Sequence, residues 1–127
     1  LEIDFEIDFF LLGVGCHPKD YRFIWNINKT LKTNFFKTKQ CCLYNKKNYF
    51  SQYNDNTESL ITHVFSNKSP KGYLIPAKKN VDFWIKTSSF FQQKNLKGWL
   101  EKIRAIKQVL AVYKEDDEKI KEQFLFE

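Results

Sequence analysis

A cysteine and a histidine stand side by side at Cys16 and His17, and they are the first pair in the chain whose side chains could do chemistry together. A thiol beside an imidazole becomes a nucleophile when the ring reaches the sulfur and takes its proton. Neighbouring residues of an extended chain point in opposite directions, so this pair should diverge. We therefore interpret Cys16 and His17 as a turn before a helix, with a cysteine nucleophile as the alternative.

The chain also contains the side-chain types that zinc prefers, in Cys16, His17, Cys41, Cys42 and His63. No two of them stand in a CxxC or HxxxH spacing, which structural zinc sites usually have. Three cysteines, two of them adjacent, also argue against an internal disulfide framework. We expect ordinary buried thiols in a reducing cytoplasm, with no metal and no other cofactor.

Asp82 is the acid that most needs a partner, because it lies inside the apolar run from Val81 to Ile85. A carboxylate among apolar side chains has to be paired or hydrogen-bonded. Lys71, Lys86 or backbone amides of a turn could supply the partner. We interpret Asp82 as a structural anchor, with a ligand contact or a catalytic role as the alternatives.

Two glycines, Gly13 and Gly15, follow a predicted strand and precede a predicted helix, which is where phosphate-binding loops occur. A third glycine and the GK[ST] sequence of such loops are missing. The pair therefore predicts a tight turn more strongly than a phosphate site.

In the middle of the chain, aromatic residues on predicted strands stand among lysines, and the net charge of the whole chain is +6. The rings proposed for stacking are those of Phe35, Phe36, Tyr44, Tyr49, Phe50 and Tyr53. Aromatic rings on a basic sheet are a platform for stacking single-stranded nucleic acid. The candidate contacts are Lys37, Lys39, Lys46 and Lys47. All but two of the 21 basic residues are lysine, however, and arginine is the residue that reads phosphates and bases with paired hydrogen bonds. Nucleic-acid binding therefore stands as a second hypothesis.

The elements that position these residues are predicted from the spacing of apolar residues, which repeats every second residue in strands and every 3.6 residues in helices. The predicted strands cover residues 3–14, 35–44, 48–53, 59–66, 73–75, 81–85 and 109–113. Helices are predicted from Asp20 to Leu31, with Trp25 buried, and from Ser89 to Ile106, with Trp99 buried. This order predicts a single α+β domain over residues 1–127, with one mainly antiparallel sheet of six or seven strands and two helices packed on one face.

The most legible stretch is KGYLIPAKKNVDFWIK, residues 71–86. It has two apolar runs joined by a polar turn. Pro76 lacks the amide that a central strand donates and so fits a strand end, and Asn80 tolerates the left-handed conformation of a tight turn. The stretch predicts a β-hairpin with an exposed turn.

The segment LIPAKKNVDFWI within this stretch resembles the motif of the IPExxxVDY family, small bacterial proteins of the Bacteroidetes group. DFFLLGVGCHPKDYRFIWNIN and FSNKSPKGYLIP are similar to the family's N-terminal strand and helix and to the approach to its motif. Ile75, Pro76, Val81 and Asp82 match the motif. Ala77 replaces its Glu, and Phe83 replaces its Tyr. The resemblance implies the same fold and a cytoplasmic location, and it supplies no activity.

The leading hypothesis is a non-catalytic cytoplasmic module that binds an unidentified protein partner. Its candidate surface is the hairpin and an open sheet edge, with the motif residues Ile75, Pro76, Val81, Asp82 and Phe83 as candidate contacts. The alternatives are the nucleic-acid binder and an enzyme that uses Cys16 or Asp82. No membrane partner is expected, because the longest unbroken apolar run, from Phe9 to Cys16, is far too short to span a bilayer.

Overall fold

The computed structural model describes residues 9–17, 21–33, 35–41, 50–57, 60–69, 72–88 and 93–124. Its strands are β1 (Phe9–Cys16), β2 (Phe36–Cys41), β3 (Phe50–Thr57), β4 (Leu60–Ser66), β5 (Lys68–Ser69), β6 (Gly72–Tyr73), β7 (Phe83–Ser88) and β8 (Val109–Lys114). Its α-helices are α1 (Tyr21–Leu31), α2 (Gln93–Arg104) and α3 (Glu118–Glu122). The α+β class is confirmed. No helix in these ranges is long and apolar enough to cross a membrane.

Six of the strands form one sheet in the order β2-β3-β4-β7-β1-β8, and every neighbouring pair is antiparallel. The strand β1 lies between β7 and β8, so that Val14 is opposite Phe83 on one side and Val112 on the other. The short strands β5 and β6 form a separate ribbon. The strand β1 therefore has a partner strand on each side, and both of its faces are covered, which explains why it is apolar on both faces.

Both faces of this sheet carry a packed core. On one face, Leu12 and Val14 of β1 share a cluster with residues of α1 and α2. On the other face, Leu11 and Trp84 share a cluster with residues from the segment before β7 and from α3. The sequence predicted two helices packed on one face. The structure has a third helix, α3, and a second layer that covers the other face. The five-residue α3 is too short to give a clear period of 3.6.

The helix α1 begins and ends close to the predicted bounds, but the prediction that it buries Trp25 was wrong. Its buried side is formed by Phe23, Ile24 and Ile27, whereas Trp25 is 62% exposed. The Lys29 ammonium lies 5.2 Å from the centre of the indole ring. A tryptophan can occupy the polar side of an amphipathic helix when a lysine stem covers part of it.

The predicted hairpin over residues 71–86 was also wrong. Pro76 begins a short 3-10 helix (Pro76–Lys78) and does not end a paired strand. The strand β6 pairs with β5, while β7 pairs with β1 and β4. Among the described residues other than glycine, only Lys32 has a positive φ, so Asn80 does not take the left-handed conformation. The fixed φ of proline suits the first position of a helical turn equally well, and sequence alone does not separate the two uses.

The pair Gly13 and Gly15 lies within β1, so the predicted tight turn was wrong as well. A Cβ atom on Gly13 would lie 2.7 Å from the Tyr113 ring and 3.1 Å from the ring of Trp84. Glycine is needed here because two large rings pack against the strand backbone, not because the chain turns.

The last described residue, Phe124, docks onto the sheet as its apolar side chain requires. It is fully buried, with its ring centre 5.6 Å from that of Phe65 and 5.7 Å from that of Trp84. The ammonium of Lys86 donates a hydrogen bond of 2.6 Å to the Phe124 carbonyl. Phe124 is thus held against β7 by both packing and a charge-assisted hydrogen bond.

Candidate functional site

Residues 74–82, here called the motif loop, carry most of the recognisable motif and fold back onto the sheet. Asn67 closes the loop at its base, because its carbonyl accepts from Leu74 N at 2.7 Å and its amide donates to Asp82 O at 2.9 Å. Inside the loop, Lys78 N donates to Ile75 O at 3.0 Å. The segment is therefore a closed, hydrogen-bonded loop and not two paired strands.

The side chain of Asn67 is the centre of this loop, and it is fully buried. Its Nδ2 donates to Lys78 O at 2.9 Å and to Val81 O at 2.7 Å. Its Oδ1 accepts from Ile75 N at 2.8 Å and from Trp84 Nε1 at 3.0 Å. Both donors and both acceptor positions of the amide are used, which is the most that an asparagine side chain offers.

Asp82 fastens the end of the motif loop to β1. Its amide donates to Val14 O at 2.7 Å, and its Oδ2 accepts from Cys16 N at 2.9 Å. A Cβ atom on Gly15 would lie 2.9 Å from Asn80 O, so glycine lets the loop approach the strand. The carboxylate thus serves as an anchor for backbone, and one of its partners is an amide of β1, not an amide of a turn.

A second polar cluster ties the motif loop to β8 and to the start of α3. Glu115 is buried, and its Oε1 accepts from Tyr113 OH at 3.0 Å and lies 3.9 Å from Lys78 Nζ. Its Oε2 accepts from Asp117 N at 3.3 Å. Burial, followed by the hydrogen bond and negative charge of Glu115, raises the pKa of Tyr113 above its usual range, so the phenol stays protonated and donates.

The five motif residues proposed as contacts divide into buried and exposed groups. Ile75, Val81 and Phe83 are buried in the two core clusters, and the Phe83 ring stacks on another ring at 4.4 Å. Asp82 is half-buried at its hydrogen bond with β1, and Pro76 is exposed. Most of the motif therefore holds the loop in place, and only its outer turn faces solvent.

The groups needed for the cysteine or aspartate enzyme are only partly brought together. Cys16 and Asp82 meet, but the hydrogen bond of 2.9 Å between them is donated by the cysteine's backbone amide, and the Cys16 thiol is buried and not in a disulfide. His17 is exposed at the end of β1. His63 lies opposite Lys86 of β7. Lys86 is four residues after Asp82, and four residues of extended chain span about 13 Å. No group of three potential metal ligands forms within the described residues.

His63 and Lys86 form a partly buried basic pair across β4 and β7. Burial, and then the positive charge of Lys86, lowers the pKa of His63 below its ordinary 6.5. Burial also lowers the pKa of Lys86. The Lys86 ammonium lies 4.6 Å from the centre of the Phe9 ring and binds a backbone carbonyl, so it serves the packing of α3.

The lysines proposed for nucleic-acid contact are described only in part. Lys37 and Lys39 lie on β2, at the end of the sheet opposite β8, with a register shift between them. Lys46 and Lys47 lie outside the described residues. The neighbouring Phe35 is buried, so this one of the proposed stacking rings belongs to the core.

A cleft of about 440 Å³ opens beside the first half of α1. Its walls are the side chains of His17, Arg22, Trp25, Asn26 and Gln108. The backbone hydrogen bond from His17 N to Gln108 O, 3.0 Å, joins two of these lining residues, one at the end of β1 and one in the segment before β8. Two basic groups and an exposed indole could together receive a flat anionic ring.

The strand β8 forms one edge of the sheet. Among the described strands its only partner is β1. Glu115 N donates to Leu11 O, so by the alternation of an antiparallel ladder the amides and carbonyls of Val112 and Lys114 point away from β1. Leu110, where the register with β1 shifts, is 65% exposed. This edge combines outward hydrogen-bonding groups with an exposed large apolar side chain.

Sequence reasoning missed two residues on which these sites depend, Asn67 and Leu110. A signal for Asn67 existed: it follows the strand β4 directly and precedes the sequence Ser-Pro-Lys-Gly, and an asparagine in such a setting is well suited to bond nearby backbone. Leu110 carried no such signal, because its exposure comes from the edge position of β8 and from a register shift.

Comparison of the chain with family models, curated proteins and solved structures finds no match. Function therefore has to be inferred from the geometry of the motif loop, the cleft and the β8 edge.

Proposed function

We propose that the chain is a cytoplasmic protein-binding module, and that its binding element is the edge of β8. The observation that carries this proposal is Leu110, which is 65% exposed on the edge strand of the sheet. An edge strand presents unpaired amides and carbonyls, onto which an extended segment of another protein can add as a further strand. The partner strand would gain main-chain hydrogen bonds and cover Leu110.

The edge has few of the features by which proteins prevent such pairing. The strand Val109–Lys114 contains no proline. The features of this kind that it has are the register shift at Leu110 and a single charged residue, Lys114, at its end. Arg104 Nη2 lies 3.5 Å from Val112 O, a long contact that an incoming strand amide would readily replace. The edge is therefore suited to binding a strand.

In this proposal the motif loop supports the binding edge and does not itself bind. Glu115 bonds Tyr113 of β8 and lies close to Lys78 of the loop. These contacts hold the C-terminal half of β8 in a fixed position against the motif loop. A rigid edge binds more tightly than a mobile one, because less conformational entropy is lost on association.

We also propose that the chain is a member of the IPExxxVDY family with two altered motif positions. Three of the four matching residues hold the structure together: Ile75 and Val81 are buried, and Asp82 accepts a backbone hydrogen bond, whereas Pro76 is exposed. Of the two departures, Ala77 is exposed and Phe83 keeps the aromatic ring that the core needs. This pattern supports a structural role for the motif.

The proposal can be tested by affinity capture with the intact protein and two variants. Leu110→Lys places a charge on the edge strand, a substitution that opposes strand pairing. Trp25→Lys is the matched control, because it makes the same change at the other exposed large apolar side chain, on α1. We expect a partner that binds wild type and Trp25→Lys and is lost with Leu110→Lys. A partner retained by Leu110→Lys, or none at all, contradicts the proposal.

A second candidate function is nucleic-acid binding, and the cleft beside α1 favours it. Trp25 offers a ring for base stacking, and Arg22 offers positive charge in the same cleft. This candidate predicts salt-sensitive binding of a single-stranded oligonucleotide that weakens in Trp25→Ala and on neutralising Lys37, Lys39, Lys46 and Lys47. Unchanged binding in all these variants, or no mobility shift at low salt, would exclude it. The variant Leu110→Lys should leave this binding unaffected.

A further inference from the structure

We infer that the strand that adds to β8 is β8 of a second copy, so that two chains form a two-fold dimer with their edge strands antiparallel. This inference rests on the proposed function of the β8 edge and names its partner. The supporting observation is the order of charges along the chain on either side of β8.

A basic segment precedes β8 and an acidic segment follows it. Arg104 and Lys107 are exposed before the strand, and Asp116, Asp117 and Glu118 are exposed after it. In an antiparallel pair with its two-fold axis at Ala111, the N-terminal end of each β8 lies beside the C-terminal end of the other, so the basic segment of one copy lies near the acidic segment of its partner. Opposite charges then meet at both ends of the paired strands. A parallel pair would place like charges together, so the pattern selects the antiparallel arrangement.

The apolar part of the edge lies between these charged segments. With the axis at Ala111, Leu110 of each copy faces Val112 of the other and has the second Leu110 as a diagonal neighbour. Leu110 is 65% exposed in a single chain. In the dimer, the Leu110 side chain of each copy would be covered by the other copy. The arrangement satisfies the symmetry of a two-fold interface, in which the same patch serves both partners.

Part of the outward hydrogen-bonding edge of β8 is used in this arrangement. With the same axis, Val112 of each copy faces Leu110 of the other, and the amide and carbonyl of Val112 point away from β1. Lys114 would face Gln108, whose carbonyl already accepts from His17 N, so the shared ladder is confined to the middle of the strand. A single six-residue strand per copy makes a small interface. Interfaces of this size associate weakly, so the dimer should depend on protein concentration.

Sedimentation velocity over a concentration series, at low and at high salt, tests this inference on the full chain. Wild type should shift from monomer to dimer as its concentration rises, and less so in high salt. Lys107→Glu places like charges together at both ends of the interface and should raise the dissociation constant by about tenfold or more. Asp116→Lys should do the same.

The deciding variant combines the two changes. Lys107→Glu with Asp116→Lys restores opposite charges across an antiparallel pair and should return the dissociation constant to within a few-fold of wild type. Lys97→Glu, the same reversal at an exposed position of α2, is the matched control and should dimerise as wild type does. Urea unfolding of each variant at a concentration where it is monomeric shows whether the fold is intact.

Each outcome bears on one proposal or on both. A double variant as weak as either single variant, or a wild type that stays monomeric throughout, overturns the antiparallel dimer. If a monomeric wild type still captures another protein, and Leu110→Lys abolishes that capture, the edge binds strands but not its own copy. If wild type neither dimerises nor captures a partner through Leu110, the proposed function fails as well.

Discussion

The motif loop and the β8 edge use their polar groups in opposite ways. In the loop, Asn67 directs all its hydrogen-bonding positions inward, to Ile75, Lys78, Val81 and Trp84. At the edge, backbone groups point outward and charged segments flank an exposed leucine. The region with the most distinctive sequence thus holds the structure together, whereas the surface that we propose to bind another chain is a strand with an ordinary sequence.

This difference has a physical cause. A buried polar group must be hydrogen-bonded, and few side chains have the shape and number of donors to satisfy several backbone groups at once. A loop of this kind therefore demands particular residues at particular positions. A binding edge needs only an extended strand, some exposed apolar area and a suitable charge order, and many sequences meet those needs.

The largest effect that would test this contrast is expected for Asn67→Ala. It leaves Ile75 N, Trp84 Nε1 and two carbonyls without their buried partner, and each unsatisfied group costs about 1–3 kcal/mol. Because water and relaxation recover part of this, we expect a loss of about 3–5 kcal/mol of unfolding free energy in urea denaturation. Asn80→Ala, at an exposed position of the same loop, should change stability by less than about 0.5 kcal/mol. Similar losses in both variants would show that the loop is not organised by Asn67.

A smaller effect is expected at the attachment of the loop to β1. Asp82→Ala removes the acceptor for Cys16 N and should cost about 2 kcal/mol, whereas Asp82→Asn keeps an acceptor oxygen and should cost about 1 kcal/mol. Urea denaturation of both variants measures the difference. A structural anchor predicts this order and an unchanged β8 dimer. An Asp82→Asn variant as unstable as Asp82→Ala would mean that the carboxylate's charge matters, not its hydrogen bond to β1.

The sequence predicted elements better than their arrangement. The period of 3.6 located α1 and α2, and segments rich in apolar residues located β1, β4 and β8, because each pattern is set by local burial. The alternation of two that begins the sequence lies outside the described residues. Pro76 misled the prediction because proline is equally suited to a strand end and to the start of a helical turn. Trp25 also misled the prediction, because large aromatic residues are usually buried, whereas this one lies on the exposed side of α1.

The candidate sites were less predictable, since both depend on contacts distant in sequence. Asn67 bonds residues 8 to 17 positions away, and Asp82 bonds an amide 66 positions away. The exposure of Leu110 follows from the position of β8 at the end of the sheet, and strand order has no local signature. The need of Asp82 for a partner was readable, but the identity of that partner was not.

Acid should weaken the interior of the sheet and leave the β8 edge unchanged. The pKa of His63 is lowered by burial and by Lys86, so as pH falls the unfolded chain takes up this proton first, near pH 6.5. Stability from His63 is complete above pH 6.5 and is lost as pH falls from there towards the folded pKa. Urea midpoints at pH 7.5 and 5.5 should therefore differ more for wild type than for His63→Gln. His17→Gln, which removes the exposed histidine, should behave as wild type, and equal pH dependence in all three chains would refute the assignment.

The smallest effect is expected on the outer turn of the motif loop, at Ala77→Glu. Ala77 is exposed, and the new carboxylate would lie in the first turn of the 3-10 helix near Lys78 and Lys79. Its attraction to those lysines is screened by solvent, so unfolding free energy should change by less than about 0.5 kcal/mol. Dimerisation should not change, because the substitution lies outside residues 104–118. If the glutamate instead created a new binding activity in the capture experiment, the outer turn would be a second binding surface, and the division between a structural loop and a binding edge would no longer hold.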